Sequence, residues 1–278
     1  MPDTSHGFIR LPGGRFHYQH WTGPHGDRPP ALLLHGGTAS TETWRHIAPV
    51  LAGTRPVYAV DLRGHGLSAQ SPDDSYHLWL VADDITDFIT VMGLERPLLI
   101  GHSWGAAVAL VQAAACRTRR PAPDLSALVL EEIPPTMASP VLTEFAEAAA
   151  ELAGSPADLI QAVIRAAGTQ HTDAYVHTVA HGLHHTTPAA VRGVFADGAR
   201  QGDLLPLLAA VSVPVLLLRS DPAVRSGIDT AAWRQARHHL PPDGRMTQIA
   251  GADHDIHRTH PGEFLAAVEE FTRARDRT

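Results

Sequence analysis

The chain has 278 residues, 44% of them hydrophobic, and a formal net charge of −7. That length and apolar content suit one large α/β domain, or such a core with an inserted lid, and the acidic balance argues against nucleic acid or an acidic membrane surface as a partner. No apolar run reaches the length that crosses a bilayer. Met1–His6 carries neither a basic segment nor an apolar stretch, so no secretory signal is read and a cytoplasmic location is expected. The single cysteine, Cys116, has no internal partner and is read as a small buried apolar residue in a helix.

In chain order, Phe8–Leu11 and Phe16–Tyr18 read as a hairpin around Pro12-Gly13-Gly14. Ala31–Leu34 is a buried strand that ends at His35-Gly36-Gly37. Thr43–Leu51 has helical spacing through Trp44, Ile47, Val50 and Leu51. Pro56–Val60 is the next strand, and His77–Met92 a helix with Leu80, Val81, Ile85, Phe88 and Ile89 on one side. Leu98–Ile100 leads into Gly101-His102-Ser103-Trp104-Gly105 and then an Ala/Val-rich helix. Leu125–Leu130, Val213–Leu218 and Met246–Ile249 are further strands. Helices are expected near Thr230–His239 and over Pro261–Arg275. Alternating strands and helices imply a mostly parallel sheet covered on both faces. Residues 136–208 hold helix-like segments and no clear strand, which divides the chain into a core (1–135 and 209–278) and a helical lid.

A Gly-x-Ser-x-Gly between a strand and a helix is a nucleophile elbow. The turn is tight, so small residues must flank the serine. The Ser103 hydroxyl is then presented beside a helix N-terminus, whose unpaired N–H groups favour an oxyanion.

Four blocks together resemble the α/β-hydrolase superfamily over nearly the whole chain: His35-Gly36-Gly37, Asp61-Leu62-Arg63-Gly64-His65-Gly66-Leu67-Ser68, the Ser103 elbow, and Gly251-Ala252-Asp253-His254. The resemblance implies a catalytic triad and no cofactor. Ser103 is the nucleophile and His254 its base, because an unassisted hydroxyl is a poor nucleophile and an imidazole titrates in the useful range. The oxyanion hole is assigned to the amides of Gly37 and Trp104. The Trp104 side chain reads equally as pocket wall or as core, and His35 as a brace of its loop.

The acid departs from the family pattern. After the strand that follows the lid, the chain runs Leu218-Arg219-Ser220-Asp221-Pro222-Ala223, so Asp221 falls two places early. A short deletion would restore it, and Asp221 is taken as the acid. Some relatives, haloalkane dehalogenases among them, carry the acid after the strand before the lid, and Glu132 matches that position. Glu132 is therefore the alternative, with Asp253 and Asp255 behind it. A serine at the elbow sets the chain apart from the aspartate-bearing dehalogenases and epoxide hydrolases.

The resemblance implies a cofactor-independent serine hydrolase acting on a small ester, thioester or lactone through an acyl-serine. The competing readings are a lyase, carbon–carbon bond hydrolase or cyclising or dehydrating enzyme of a natural-product pathway with the same triad, and a non-catalytic ligand-binding protein on this scaffold. The expected partner is a small-molecule substrate. His171, His177, His181, His184 and His185 in the lid have a spacing that could hold zinc. Lacking a His-Glu-x-x-His or a nearby cysteine, they are read as incidental or pocket-lining, and no metal is expected.

Overall fold

The computed structural model describes residues 3–24, 28–114, 123–167 and 171–273. Cys116 lies outside them. Eight strands form one sheet: β1 (Thr4–Leu11), β2 (Gly14–Trp21), β3 (Ala31–Leu34), β4 (Val57–Val60), β5 (Leu98–His102), β6 (Ala127–Glu131), β7 (Val215–Arg219) and β8 (Arg245–Gln248). Their spatial order is β1-β2-β4-β3-β5-β6-β7-β8. The β1–β2 and β2–β4 pairs are antiparallel and every other pair is parallel. The helices are α1 (Ala48–Leu51), α2 (Leu78–Val91), α3 (Trp104–Ala113), α4 (Pro140–Leu152), α5 (Ala157–Ala166), α6 (Asp173–His184), α7 (Pro188–Gln201), α8 (Thr230–His239), α9 (Ile256–Thr259) and α10 (Pro261–Arg273).

Central strands without polar residues must be covered on both faces, and strand alternation sends neighbours to opposite sides. Leu32, Leu34, Leu99, Leu128 and Leu130 pack with residues of α2 and α3. Ala31, Leu33, Leu98, Ile100, Ala127 and Val129 pack on the other face with Trp44, Ile47 and the α10 residues Phe264, Val268 and Phe271. Glu131, the last residue of β6, and Glu132, which follows it, point to opposite sides.

The expected helix over Thr43–Leu51 is broken into a 3-10 helix, Thr41–Trp44, and the short α1. Its apolar residues are buried as the spacing predicts, except Val50. Helices α4–α7 lie between β6 and β7 in sequence and share a small apolar cluster of their own, including Ala149, Ile160, Ala180, Leu183 and Val191. Caps mark their starts: Ser139, Thr172 and Thr187 each accept a hydrogen bond from the amide three residues on. A 3-10 helix, Leu205–Ala210, packs on α8 and α3 and so on the core, straddling the boundary expected at residue 208.

Candidate active site

Ser103 stands between β5 and α3 with φ 51° and ψ −117°, a backbone conformation that L-residues rarely adopt. Two glycines make the turn possible by close approach. A side chain at Gly101 would strike the Gly105 carbonyl, and one at Gly105 would strike the carbonyls of Leu34 and His35. The Ser103 amide donates to Glu131 O across the sheet at 2.9 Å, which ties the elbow to β6. As the first helical residue, Trp104 has an N–H with no intrahelical acceptor. Its indole is 1% exposed and packs beside His65 at 5.2 Å between ring centroids, so the side chain belongs to the core.

The oxyanion-loop candidate, Gly37, follows β3. Buried histidines brace that loop. His35 Nδ1–H donates to Gly36 O at 2.8 Å, while Nε2 accepts from Leu62 N at 2.9 Å. His65 donates from Nδ1 to Arg63 O at 3.0 Å and accepts at Nε2 from Thr38 N at 3.2 Å. Each ring meets one acceptor and one donor, which suits only a neutral imidazole. Burial lowers both pKa values, that of His65 to about 3. The Asp61 block is structural. Asp61 accepts from His17, from Thr41 N and from Leu67 N, and Arg63 makes a buried two-bond pair with Asp84 at 2.7 and 2.8 Å.

His254 comes from the turn after β8. Its Nδ1 faces Glu132 Oε2 at 3.0 Å. The Glu132 side chain is fully buried, and the Ser220 amide (2.7 Å), the Gly227 amide (2.5 Å) and the Ser226 hydroxyl (2.9 Å) also donate to it. Burial alone would raise its pKa. The His254 bond and charge and the two amides outweigh burial and hold it below the usual carboxylate range. Burial works the other way on His254, yet the Glu132 hydrogen bond and charge raise its pKa above 6.5. Glu132 has φ 51°, a second strained residue beside Ser103. Ser103 and Glu132 thus stand side by side at the ends of β5 and β6 with left-handed backbones.

Asp221, the first choice for the acid, is placed elsewhere. Its carboxylate accepts from the Gly251 and Ala223 amides, both at 2.9 Å, and braces the turn that carries His254 without touching the imidazole. The physical reason lies in the β7–α8 loop. Ser220 N already points at Glu132, so the residue after it faces the neighbouring turn. Asp253 and Asp255 also lie off His254 Nδ1. Asp255 accepts from the Tyr175 hydroxyl of α6 at 2.6 Å, and Arg225 lies 3.4 Å away.

Sequence reading passed over three supporting groups. His102 Nε2–H donates to the His254 carbonyl at 3.0 Å, and the two ring centroids are 5.0 Å apart, which seats the His254 loop on the residue before Ser103. On the far side of β6, Glu131 accepts from His257 N and Nδ1 at 2.9 Å, both side chains fully buried. Tyr175 joins α6 to the His254 loop. The only signals in sequence were the doubled Glu131-Glu132 and the three-residue spacing of His254 and His257. Among the described residues, His102, Glu131 and His257 form the one cluster of metal-ligand type. Glu131 and His257 in it are bonded to each other, while His102 Nδ1 is buried without a hydrogen-bond partner among the described residues. Three lid histidines pack together, with the His185 ring 4.4 Å from His181 and 4.6 Å from His184 between centroids, but the five do not form a cluster of metal-ligand type among the described residues. His171 stacks on Tyr175, His181 meets Ser40, and His184 meets Ser155 O. No helix among the described residues is long and apolar enough to cross a membrane.

The chain is 31% identical over 263 residues to 2-(acetamidomethylene)succinate hydrolase of Mesorhizobium japonicum, covering 90% of each. It is 29% identical over 279 residues to N-formylmaleamate deformylase of Pseudomonas putida, covering 95% of each. The crystal structure of E-2-(acetamidomethylene)succinate hydrolase superposes with a TM-score of 0.81 at 22% identity, over 98% of this chain and 100% of that one. The sequence profile described as the alpha/beta hydrolase family matches residues 31–268, and with the sheet order and elbow found here the chain belongs to that family.

Proposed function

We propose that the protein is a serine hydrolase of small carboxylic-acid derivatives, working through an acyl-Ser103 intermediate with no cofactor. The observation that carries this reading is the His254–Glu132 pair, a 3.0 Å hydrogen bond to a fully buried carboxylate, on a loop seated against the residue that precedes a strained Ser103.

His254, neutral at Nε2 and held by Glu132 at Nδ1, takes the Ser103 proton as Oγ attacks the carbonyl carbon. The negative charge gathers on the former carbonyl oxygen, which the amides of Gly37 and Trp104 receive. The tetrahedral intermediate collapses, the imidazolium returns its proton to the leaving oxygen, sulfur or nitrogen, and the acyl group stays on Ser103. Water, deprotonated by the same imidazole, then attacks the ester and releases the acid. Glu132 stays ionised throughout and stabilises the imidazolium.

Ester, thioester and lactone bonds fit this chemistry. The two full-length relatives are named for an acetamido compound and an N-formyl compound, and that extends the proposed range to acyl–nitrogen bonds. The test is turnover of p-nitrophenyl acyl esters together with mass-spectrometric trapping of an acyl group on the peptide bearing Ser103. Ser103→Ala should lose both, with turnover falling roughly a thousandfold or more. A Ser103→Ala protein as active as the parent overturns the reading.

A further inference from the structure

The lid meets the core at Gly37, the proposed oxyanion donor. A Cβ placed on Gly37 would stand 3.5 Å from the tip of the Phe195 ring and 3.8 Å from Val194 Cγ1, both on α7. Phe195 is in turn edge-packed on Phe145 of α4, with centroids 5.6 Å apart. The lid surface that faces Gly37 is therefore hydrocarbon.

Charge around the site points the same way. The chain has no lysine, and residues 136–208 contain three arginines. All three face outward onto acids: Arg165 on Asp173 at 2.6 Å, Arg192 on Glu147 at 3.5 Å, and Arg200 on Asp197 at 2.5 Å. Beside His254 the two guanidiniums are already engaged. Arg225 lies between Asp253 (3.6 Å) and Asp255 (3.4 Å). Arg258 donates to Thr43 Oγ1 at 2.7 Å and sits 3.4 Å from Asp255. Against these two cations stand Glu132, Asp253 and Asp255. A second carboxylate brought in on a substrate would find no unengaged guanidinium in the lid and a surplus of negative charge at the histidine. In a desolvated cleft that mismatch costs far more than it would in water.

We infer that the pocket accepts neutral, apolar acyl groups and turns away acyl groups that end in a carboxylate, with Phe195 setting the choice. The inference rests on the serine-hydrolase reading above. It sets this chain apart from its two relatives, whose names denote a succinate and a maleamate.

Boronic acids, which add reversibly to an activated serine, test the choice without any turnover. The full chain is labelled at Ser103 with a fluorophosphonate probe at pH 8, where an ordinary imidazole is uncharged. Protection by butylboronic acid is compared with protection by 3-boronopropanoic acid. Butylboronic acid should protect at a concentration lower by about tenfold or more. Phe195→Arg should narrow that gap, and Phe195→Ala should raise the concentration of butylboronic acid required. Equal or better protection by the carboxylated compound in the parent protein, or protection by neither, overturns the inference while the hydrolase reading stands on the labelling. An unchanged gap in Phe195→Arg removes Phe195 from its role. Failure of the probe to label folded protein sinks the hydrolase reading itself and the inference with it.

Discussion

Glu132, the proposed triad acid, and Asp221 show how little separates a carboxylate that meets the histidine from one that braces its turn. Both are ionised below the usual carboxylate range, but for different reasons. Glu132 is buried and owes its low pKa mainly to His254, whereas Asp221 owes its own to the Gly251 and Ala223 amides. Glu132→Gln should lower kcat by roughly a thousandfold or more, because the imidazole loses the anion that orients it and stabilises its charged form. Asp221→Ala, which loosens the turn carrying His254 without touching the imidazole, should cost kcat only about tenfold. Steady-state kinetics on one ester decides between them, and equal losses would mean that the hydrogen bond to His254 is not what matters. The pH profile follows from the same pair. The base works in its neutral form, and Glu132 raises the His254 pKa above 6.5, so kcat/KM should climb with pH through an inflection above 6.5. In Glu132→Gln the inflection should move to lower pH. Ser103, His254 and Gly37 could be proposed from sequence because each is marked by residues a few positions away in the same motif. The acid was not. Its place depends on where two loops from different strands meet, and that meeting is a tertiary fact with no local spacing.

At the scale of elements, the elbow and α6 do most to define the site. The glycines at 101 and 105 let β5, β3 and α3 approach closely enough to hold Ser103 in its strained turn. Gly101→Ala forces backbone against backbone at Gly105 and Ala106, and it should destabilise the fold by about 3 kcal/mol, read as a lower urea midpoint with an unchanged m-value. Helix α6 touches both lips of the cleft. Gly182 packs against the backbone of Thr38 and Ala39 in the oxyanion loop, and the Tyr175 hydroxyl donates to Asp255 beside His254. Tyr175→Phe leaves the Asp255 carboxylate with one donor fewer while keeping the ring's packing. Its kcat should fall by about tenfold with KM little changed, since a loosened histidine loop weakens the transition state more than ground-state binding. The strands and the long helices were legible because their apolar periods are strong. The break between Thr41–Trp44 and α1 was not, since both pieces bury the same residues that one continuous helix would. The bond from Tyr175 to Asp255 joins residues 80 positions apart and has no sequence signature.

Across the whole molecule, the interior keeps an unusual store of neutral imidazoles, and this sets how the fold answers to acid. Burial lowers the pKa of His35 and pushes those of His65, His102 and His257 down to about 3. In the unfolded chain each titrates near 6.5. Between about pH 6.5 and 3 the unfolded state therefore binds protons that the native state refuses, and stability falls as pH falls. Two buried acids oppose this. Glu131 is raised to about 7 and Asp84 to about 6, chiefly by burial, so their contribution fades as pH rises through those values. Four histidines outweigh two carboxyls over most of the range. The net difference of about two protons should cost on the order of 3 kcal/mol per pH unit between about pH 6 and pH 4. Urea unfolding across that interval measures it directly. His65→Gln, whose side-chain amide can still meet the Thr38 N–H, should give a shallower slope because one titrating site is gone. A stability that stays flat or rises from pH 6 to pH 4 would show that the buried rings already carry protons, and with them the neutral hydrogen-bond pattern that braces Gly37 would fall.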